Sequence, residues 1–167
     1  MNPSIQKISP NLWFNNEAEE AARYYVSIFN DSKITRVTRY GSEQNEHHTV
    51  DEGTVMTVEF QLEGQQFVAL NGGPQFHFTE AISFIVHCET QEEIDYYWEK
   101  LIAGGDEKAQ VCGWLKDKFG VSWQVVPANL STMITGPDRV KAERVMKALL
   151  QTKTKIDLRA LEEAYEG

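Results

Sequence analysis

Apolar and polar residues change their spacing several times along the first third of the chain. The stretch ISPNLWF (8–14) is short and largely apolar, which predicts a strand. In NNEAEEAARYYVSIF (15–29) the apolar residues recur at helical spacing, and Asn16 with Glu19 has the form of a capping box at the helix start. KITRVTRYG (33–41) is rich in threonine, valine and isoleucine, which predicts a second strand.

A strictly alternating segment predicts a hairpin. TVMTVEFQLEG (54–64) alternates, so that one strand face carries the apolar residues Met56, Val58, Phe60 and Leu62. The opposite face carries the more polar set Val55, Thr57, Glu59 and Gln61. Gly64 then turns the chain into QQFVALNGG (65–73), so we predict a hairpin over residues 54–71.

The same order of patterns returns in the second half of the chain. AISFIVHC (81–88) predicts a strand. TQEEIDYYWEKLIAGG (90–105) predicts a helix in which Thr90 and Glu93 form a second capping box. EKAQVCGWLKDKFGVSWQVVP (107–127) predicts further strands that end in a hairpin, with KDKFG as its turn.

Two copies of one unit explain this repetition. Aligning residues 13–25 with residues 85–97 superimposes a Tyr-Tyr pair in each helix. Each copy consists of a strand, a helix and about three strands, and one such unit cannot bury both faces of its sheet alone. We therefore predict two βαβββ modules, at about residues 5–73 and 80–128, within one domain at residues 1–128.

The pattern changes after Pro127. ANLSTMITGP (128–137) is typical of a loop, whereas DRVKAERVMKALLQ (138–151) and KIDLRALEEAYEG (155–167) are amphipathic and predict helices. We therefore predict a C-terminal helical extension at residues 129–167, which either packs on the domain or contacts a second subunit.

Composition narrows the class of protein and of partner. The chain has 167 residues, 41% hydrophobic and 25% charged, as in ordinary globular domains. Its longest apolar runs, such as AISFIV (81–86), are far shorter than the roughly 18 residues of a membrane span. The formal net charge of −9 argues against nucleic acid and anionic membranes as partners. Cys88 and Cys112 lack metal-site spacing and the N-terminus lacks an apolar signal segment, so we expect two free thiols in a cytoplasmic protein.

Four motifs in order carry a family resemblance: NLWFNNEAEEAARYYVSIF (11–29), FVALNGGPQF (67–76), EAISFIVHCETQEEIDYYWEKL (80–101) and CGWLKDKFGVSWQVVP (112–127). Over residues 5–128 the chain resembles the vicinal oxygen chelate superfamily, also called the glyoxalase/bleomycin-resistance/dioxygenase fold. Within it the chain resembles the PhnB-like branch, whose members often carry the name 3-demethylubiquinone-9 3-methyltransferase. The resemblance implies an α+β fold, in which two βαβββ modules form a curved, cup-shaped mixed sheet with outer helices.

Metal-using members of that superfamily take two ligands from each module, and carrying those positions over gives Pro10, Val68, Ile82 and Gln124. The first three side chains cannot ligate a metal, and one amide does not hold a divalent ion. We therefore expect neither the metal nor another cofactor. A second possibility is a loop site formed by His47 and His48 together with Asp51 and Glu52, although adjacent histidines on a polar loop are usually solvated.

The methyltransferase name finds no support in the motifs. A typical S-adenosylmethionine or dinucleotide fold has a glycine-rich turn between a strand and a helix. The candidates NGGP (71–74) and AGG (103–105) lack that form. Methyl transfer is therefore the least favoured of the possible functions.

The sheet cavity implied by the resemblance suggests a set of binding residues. Ser122 and Gln124 share one face of the last strand, whereas Trp123 lies on the other face and is expected in the core. Thr57 and Glu59 share the polar face of the predicted hairpin strand, and Glu59 is a candidate base if that face lines the cavity. Trp114 could form a wall of the pocket.

Three functions remain open at this point: a metal-independent module that binds a small molecule, an enzyme that uses Glu59 or a non-standard metal site, and a scaffold with an empty pocket. For any of them a homodimer is the expected assembly, as is usual for such proteins.

Overall fold

The computed structural model of the protein describes residues 5–42 and 50–167. The chain divides into two compact units, Met1–His77 and Phe78–Gly167, and the units are described in turn. Within the described residues, no helix is long and apolar enough to span a membrane.

The first unit is one complete βαβββ module. Its elements are β1 (Asn11–Phe14), α1 (Ala18–Ile28), β2 (Lys33–Arg39), β3 (Val55–Leu62) and β4 (Gln65–Asn71). The strands form one sheet in the order β1-β4-β3-β2, in which β1 runs parallel to β4 and the other pairs are antiparallel. The predicted hairpin is confirmed, and Gly64 in its turn has a positive φ of 78°.

Helix α1 covers the apolar face of this sheet. Val58 and Phe60 of β3 are fully buried, and the Phe60 ring stacks on Tyr25 of α1 at a centroid distance of 6.3 Å. From residue 58 onward the alternation of β3 is as predicted: Val58, Phe60 and Leu62 are buried, and Glu59 and Gln61 lie on the opposite face with Thr57.

The predicted cap of α1 is wrong. The helix begins at Ala18 with Glu17 at the N-cap position, and the side chain that satisfies its first turn comes from the end of β4. Asn71 Oδ1 accepts the backbone N–H of Ala18 at 2.9 Å, and Asn71 Nδ2 donates to the carbonyl of Val55 at 3.0 Å. A long-range side chain has replaced the local cap at Asn16.

The second unit repeats the arrangement with one strand fewer. It contains β5 (Ser83–Cys88), α2 (Gln91–Ile102), β6 (Trp114–Lys116) and β7 (Ser122–Pro127), in the sheet order β5-β7-β6. As in the first module, the first strand runs parallel to the last, and the last two strands form a hairpin. Where the pattern predicted another strand, Glu107–Ala109 forms a single 3-10 turn capped by Asp106. The α+β fold class is confirmed.

The predicted cap of α2 is confirmed at Thr90, whereas the second half of the capping box is shifted by one residue. Thr90 Oγ1 accepts the backbone N–H of Glu93 at 3.2 Å. The Glu93 carboxylate accepts the backbone N–H of Glu89 at 2.7 Å, one residue earlier than in the ideal box.

The C-terminal extension packs on the second unit. It forms α3 (Leu130–Thr135), α4 (Arg139–Gln151) and α5 (Leu158–Glu166), so the loop predicted at residues 128–137 is wrong in its central part. A cluster of apolar side chains unites these helices with the end of β7 and consists of Val126, Met133, Val145, Ile156 and Leu161. The short helix α3 forms because its apolar side chains belong to this cluster.

Polar contacts fasten the segment between α4 and α5 to the same unit. The Gln91 side chain donates to the carbonyl of Ile156 and accepts the N–H of Leu158 at 2.8 Å. Lys155 pairs with Asp95 at 2.6 Å. Hydrogen bonds from Lys155 and Gln91 hold the pKa of the Asp95 carboxyl below its ordinary value.

Candidate functional site

The face of the second sheet opposite α2 carries a compact group of polar and apolar side chains. On the α2 side, Leu115, Trp123 and Val125 are buried in the core, so the prediction for Trp123 is confirmed. On the opposite side, strand register forms two rows of three residues, one from each strand. One row is Ile85, Gln124 and Trp114, and the next is Ser83, Ser122 and Lys116. We call these six residues the candidate face.

Gln124 lies in the middle of the first row. Its amide nitrogen donates to Ser83 Oγ at 2.9 Å, which links the two rows. Ile85 on β5 is 50% exposed, and Trp114 on β6 is partly buried. The amide is therefore flanked by apolar side chains on both neighbouring strands.

Ser122, in the middle of the second row, is a buried polar residue whose hydroxyl is not satisfied. The described residues contain three buried polar or charged side chains, Asn71, Asp117 and Ser122. Asn71 and Asp117 are satisfied by hydrogen bonds. Ser122 is only 2% exposed, and its Oγ has no hydrogen-bond partner among the described residues. An unpaired buried hydroxyl costs about 1–3 kcal/mol, so Ser122 is the polar group of this face that calls for an explanation.

Lys116 completes the second row and was not among the predicted site residues. It lies opposite Ser122 in the antiparallel register of β6 and β7. Its side chain is 22% exposed, and its Nζ bonds the carboxylate of Glu80 in the turn before β5. That hydrogen bond is the main cause that lowers the pKa of Glu80. In the sequence, Lys116 belonged to the apparent turn KDKFG, which concealed its place on the strand.

The turn that follows Lys116 is held by a buried carboxylate. Asp117 Oδ1 accepts the backbone N–H of Phe119 at 2.9 Å and of Val121 at 3.0 Å. Asp117 Oδ2 accepts the indole N–H of Trp123 at 2.8 Å. The turn thereby fixes β6 against β7, and with it the position of Lys116 next to Ser122.

Thr57 and Glu59 lie on the sheet of the first unit. Glu59 is paired with Arg36 at 3.6 Å, and its side chain is 38% exposed. Thr57 shares a hydrogen bond with Thr38, at 2.5 Å between the two hydroxyl oxygens. The five predicted binding residues therefore fall into two groups, with Trp114, Ser122 and Gln124 on the candidate face and Thr57 and Glu59 on the other unit.

The prediction of two free thiols is confirmed: Cys88 and Cys112 form no disulfide. Both lie in packed parts of the fold. Burial raises the pKa of the Cys88 thiol to about 12, which removes it as a nucleophile at neutral pH. Cys112 is partly buried and donates its S–H to the carbonyl of Thr152 at 3.2 Å.

A family model described as 3-demethylubiquinone-9 3-methyltransferase matches residues 6–126. The chain belongs to this family. The match bears out the predicted PhnB-like branch, because a relative that is 40% identical is itself described as a PhnB protein. The match ends at the start of the C-terminal extension, so the helices α3, α4 and α5 are additional to the family's common part.

Several solved structures are similar to this chain. A PhnB protein from Bacillus cereus, provisionally named as a 3-demethylubiquinone-9 3-methyltransferase, is 40% identical, and 74% of this chain covers all of it at a TM-score of 0.63. A protein from Staphylococcus aureus is 31% identical over 75% of this chain and 99% of its own, at a TM-score of 0.34. Protein PA1353 from Pseudomonas aeruginosa, 19% identical at a TM-score of 0.57, shares the fold over 73% of this chain and 96% of its own. No curated protein matches the chain.

The positions of this family member that correspond to the superfamily's metal ligands do not fit a metal. Pro10 and Val68 are joined only through their backbones, by a 2.9 Å bond from the N–H of Val68. Ile82 precedes β5 and is exposed, and the side chain that actually contacts Gln124 is Ser83. The side chains of Pro10, Val68 and Ile82 contain no atom that can ligate a metal, and the single amide oxygen of Gln124 does not hold a divalent ion alone.

Among the described residues, no group of three or more His, Cys, Asp or Glu side chains is close enough to hold a metal. His47 and His48 of the predicted loop site lie outside the described residues. A cleft of about 400 Å³ in the first unit is lined partly by the amides of Asn15, Asn16 and Gln75 and by Asp51 of the possible loop site, but by none of the five predicted cavity residues.

Proposed function

We propose that this family member binds a small molecule on the candidate face of its second sheet, without a metal ion or another cofactor. The observation that carries the proposal is Ser122, whose buried hydroxyl has no hydrogen-bond partner in the part of the chain that the structure describes. Buried polar groups in native proteins are nearly always hydrogen-bonded, and the exceptions call for an explanation. A bound molecule that accepts or donates a hydrogen bond at Ser122 supplies one.

The surroundings of Ser122 suit such a molecule. Gln124 offers amide groups one row away, and Ile85 and Trp114 offer apolar surface on either side. Small-molecule sites commonly combine apolar walls with a few fixed polar groups. The candidate face provides both within two rows of one sheet.

The test is a fragment screen by NMR on the full ¹⁵N-labelled chain. We expect ligands to shift the backbone amides of Ser83, Trp114, Ser122 and Gln124. Ser122→Ala and Gln124→Ala should each weaken such binding by about fivefold or more, since a lost hydrogen bond is worth roughly 1 kcal/mol. Ser27→Ala, which alters an exposed hydroxyl of α1, is the control. If no fragment shifts these amides, or if both variants bind like the unmodified chain, the proposal is wrong.

Glu59 is proposed separately as a candidate base of a metal-independent enzyme. Its ion pair with Arg36 positions the Glu59 side chain on the face of β3 opposite α1. The comparison is between Glu59→Gln and the unmodified chain in ligand binding and in any turnover that a substrate screen detects. Equal values in both measurements would remove Glu59 from the site.

Methyl transfer, although it appears in the family's name, is not the function we propose. The connections from β1 to α1 and from β5 to α2 contain Asn15, Asn16 and Glu17, and Glu89 and Thr90, respectively. Neither contains the glycine that a nucleotide-binding turn requires.

We further propose a cytoplasmic homodimer. Two free thiols suit a reducing compartment, and exposed apolar side chains at Phe76 and Ile82 suit an interface. Light scattering after gel filtration measures the assembly: a mass of one chain at micromolar concentration contradicts the dimer.

A further inference from the structure

The ion pair between Lys116 and Glu80 lies next to the unsatisfied hydroxyl of Ser122. Lys116 and Ser122 are cross-strand neighbours on the candidate face, and such neighbours have their Cβ atoms about 4.5–5.5 Å apart. A group held by the ammonium of Lys116 is therefore within reach of the Ser122 hydroxyl. Both are donors, and together they favour an acidic acceptor.

The two partners of the ion pair are held very differently. Lys116 belongs to a strand, its side chain is only 22% exposed, and the following residue Asp117 is locked in the turn. Glu80 lies in the turn before β5, and its side chain is 63% exposed. Lys116 is therefore the more firmly held partner, whereas Glu80 is mostly exposed and lies outside the strands. The lowered pKa of Glu80 agrees with a carboxylate that stays ionised as the counter-ion.

We propose that Lys116 and Ser122 form an anion subsite, which the carboxylate of Glu80 occupies in the free protein and which the acidic group of the ligand takes over on binding. This inference rests on the proposed function and specifies the class of ligand. Glu80 reaches Lys116 but leaves Ser122 Oγ without a partner, so it fills only half of the subsite. A ligand carboxylate or phosphate has enough oxygens to accept from both.

The adjoining row defines the rest of the ligand. Beyond Ser122 and Lys116 lie Gln124 and Trp114, with the half-exposed Ile85 on the other side. An acidic group at the second row thus places the body of the ligand against an amide and apolar side chains. The class that fits is a small acid with a flat or apolar body.

Three probes separate the acidic group from the body: benzoate carries both, inorganic phosphate carries the acid alone, and benzamide is the neutral counterpart of benzoate. Each is titrated into the full ¹⁵N-labelled chain while the amides of Trp114, Ser122 and Gln124 are followed. Glu80→Gln removes the competing carboxylate and should tighten benzoate by about three- to fivefold, the range expected for an exposed ion pair. Lys116→Met should weaken benzoate by at least about tenfold, as expected when a charged hydrogen bond is lost.

The controls separate a specific subsite from general charge effects. Lys141→Met and Glu166→Gln remove an ion pair of similar type between α4 and α5 and should leave benzoate binding unchanged. Lys116→Arg keeps the charge and should retain most of the affinity. If it does, the loss in Lys116→Met comes from the missing charge and not from a folding defect caused by any substitution at this position. Benzamide binding should not respond to Glu80→Gln.

Each result decides the proposal. Tighter benzoate or phosphate binding in Glu80→Gln, lost in Lys116→Met, supports it, and the preferred probe identifies carboxylate or phosphate as the group recognised. Equal responses of benzamide and benzoate, or no acid binding to Glu80→Gln, overturn the anion subsite. The proposed function survives that result if neutral fragments still shift the amides of the candidate face, and it fails with the subsite if none do.

Discussion

At the scale of single residues, Asp117 shows how one side chain fixes the candidate site. It is 2% exposed and accepts hydrogen bonds from two backbone N–H groups of its own turn and from the indole of Trp123. These bonds set the turn between β6 and β7, and the turn sets Lys116 opposite Ser122. The carboxylate is structural, yet the geometry of the candidate face depends on it.

We predict that Asp117→Asn destabilises the protein by about 2–3 kcal/mol. The amide can still accept from the backbone through one oxygen, but its NH₂ group would face the indole N–H, which is also a donor. Urea unfolding at neutral pH, followed by tryptophan fluorescence, measures the change. Asp138→Asn is the control, because asparagine caps α4 as well as aspartate does and should cost less than about 0.5 kcal/mol. Equal losses in the two variants would contradict this account of Asp117.

At the scale of elements, both modules obey their hydrophobic patterns, but the ends of the elements do not always follow local signals. The alternation of β3 and the Thr90 cap of α2 could be predicted because each depends on neighbours in the sequence. The cap of α1 could not, because its acceptor is Asn71, which lies 53 residues further along the chain and is brought to the helix by the pairing of β4 with β1. The turn at Glu107–Ala109 replaces a strand where the segment is mostly charged and polar.

The exchange of caps at α1 gives a prediction at this scale. Asn71→Ala removes the acceptor of the Ala18 N–H and the donor to the carbonyl of Val55, and should cost about 2–3 kcal/mol. Asn16→Ala, at the cap position that the sequence suggested, should cost less than about 0.5 kcal/mol, as exposed substitutions usually do. Chemical unfolding of both variants checks the pair. The reverse order of the two losses would show that the local cap is the one that matters.

At the scale of the whole molecule, the C-terminal extension is part of the second unit's core. Its apolar cluster includes Val126, which follows Gln124 on the same side of β7. Backbone bonds from Cys112 and Gly113 to Thr152 and Thr154 bring the extension against the segment that leads into β6. The extension therefore packs on the same side of the second sheet as the candidate face, next to its row of Ile85, Gln124 and Trp114.

Gly113 allows this contact to be tested. It has a φ of 82°, and an added Cβ would lie 2.8 Å from both Ile156 Cδ1 and the carbonyl oxygen of Val125. Gly113→Ala should therefore cost about 3 kcal/mol or more, from overpacking added to left-handed strain. It should also raise hydrogen exchange in α4 and α5.

Gly120→Ala is the matched control for Gly113→Ala. Gly120 has a similar φ of 86° but nothing within 4 Å of an added Cβ. Its cost should be limited to the strain of about 1–2 kcal/mol, with no effect on exchange in α4 and α5. If exchange in the extension is unchanged in Gly113→Ala, the close contact does not hold the extension in place.

The sequence by itself determined most of the strands and helices, though not the turn at Glu107–Ala109 or helix α3, and it determined the repeat of two modules, the core position of Trp123 and the family, because these rest on spacing along the chain. It also placed Ser122, Gln124 and Trp114 among the candidate binding residues, through alternation along a strand and the family resemblance. Only the tertiary structure brought Ser83, Ser122 and Lys116 into one row, since strand register joins residues that are distant in sequence. It alone replaced Asn16 by Asn71 as the cap of α1 and packed the C-terminal extension against Val126, because those contacts exist only after the chain has folded.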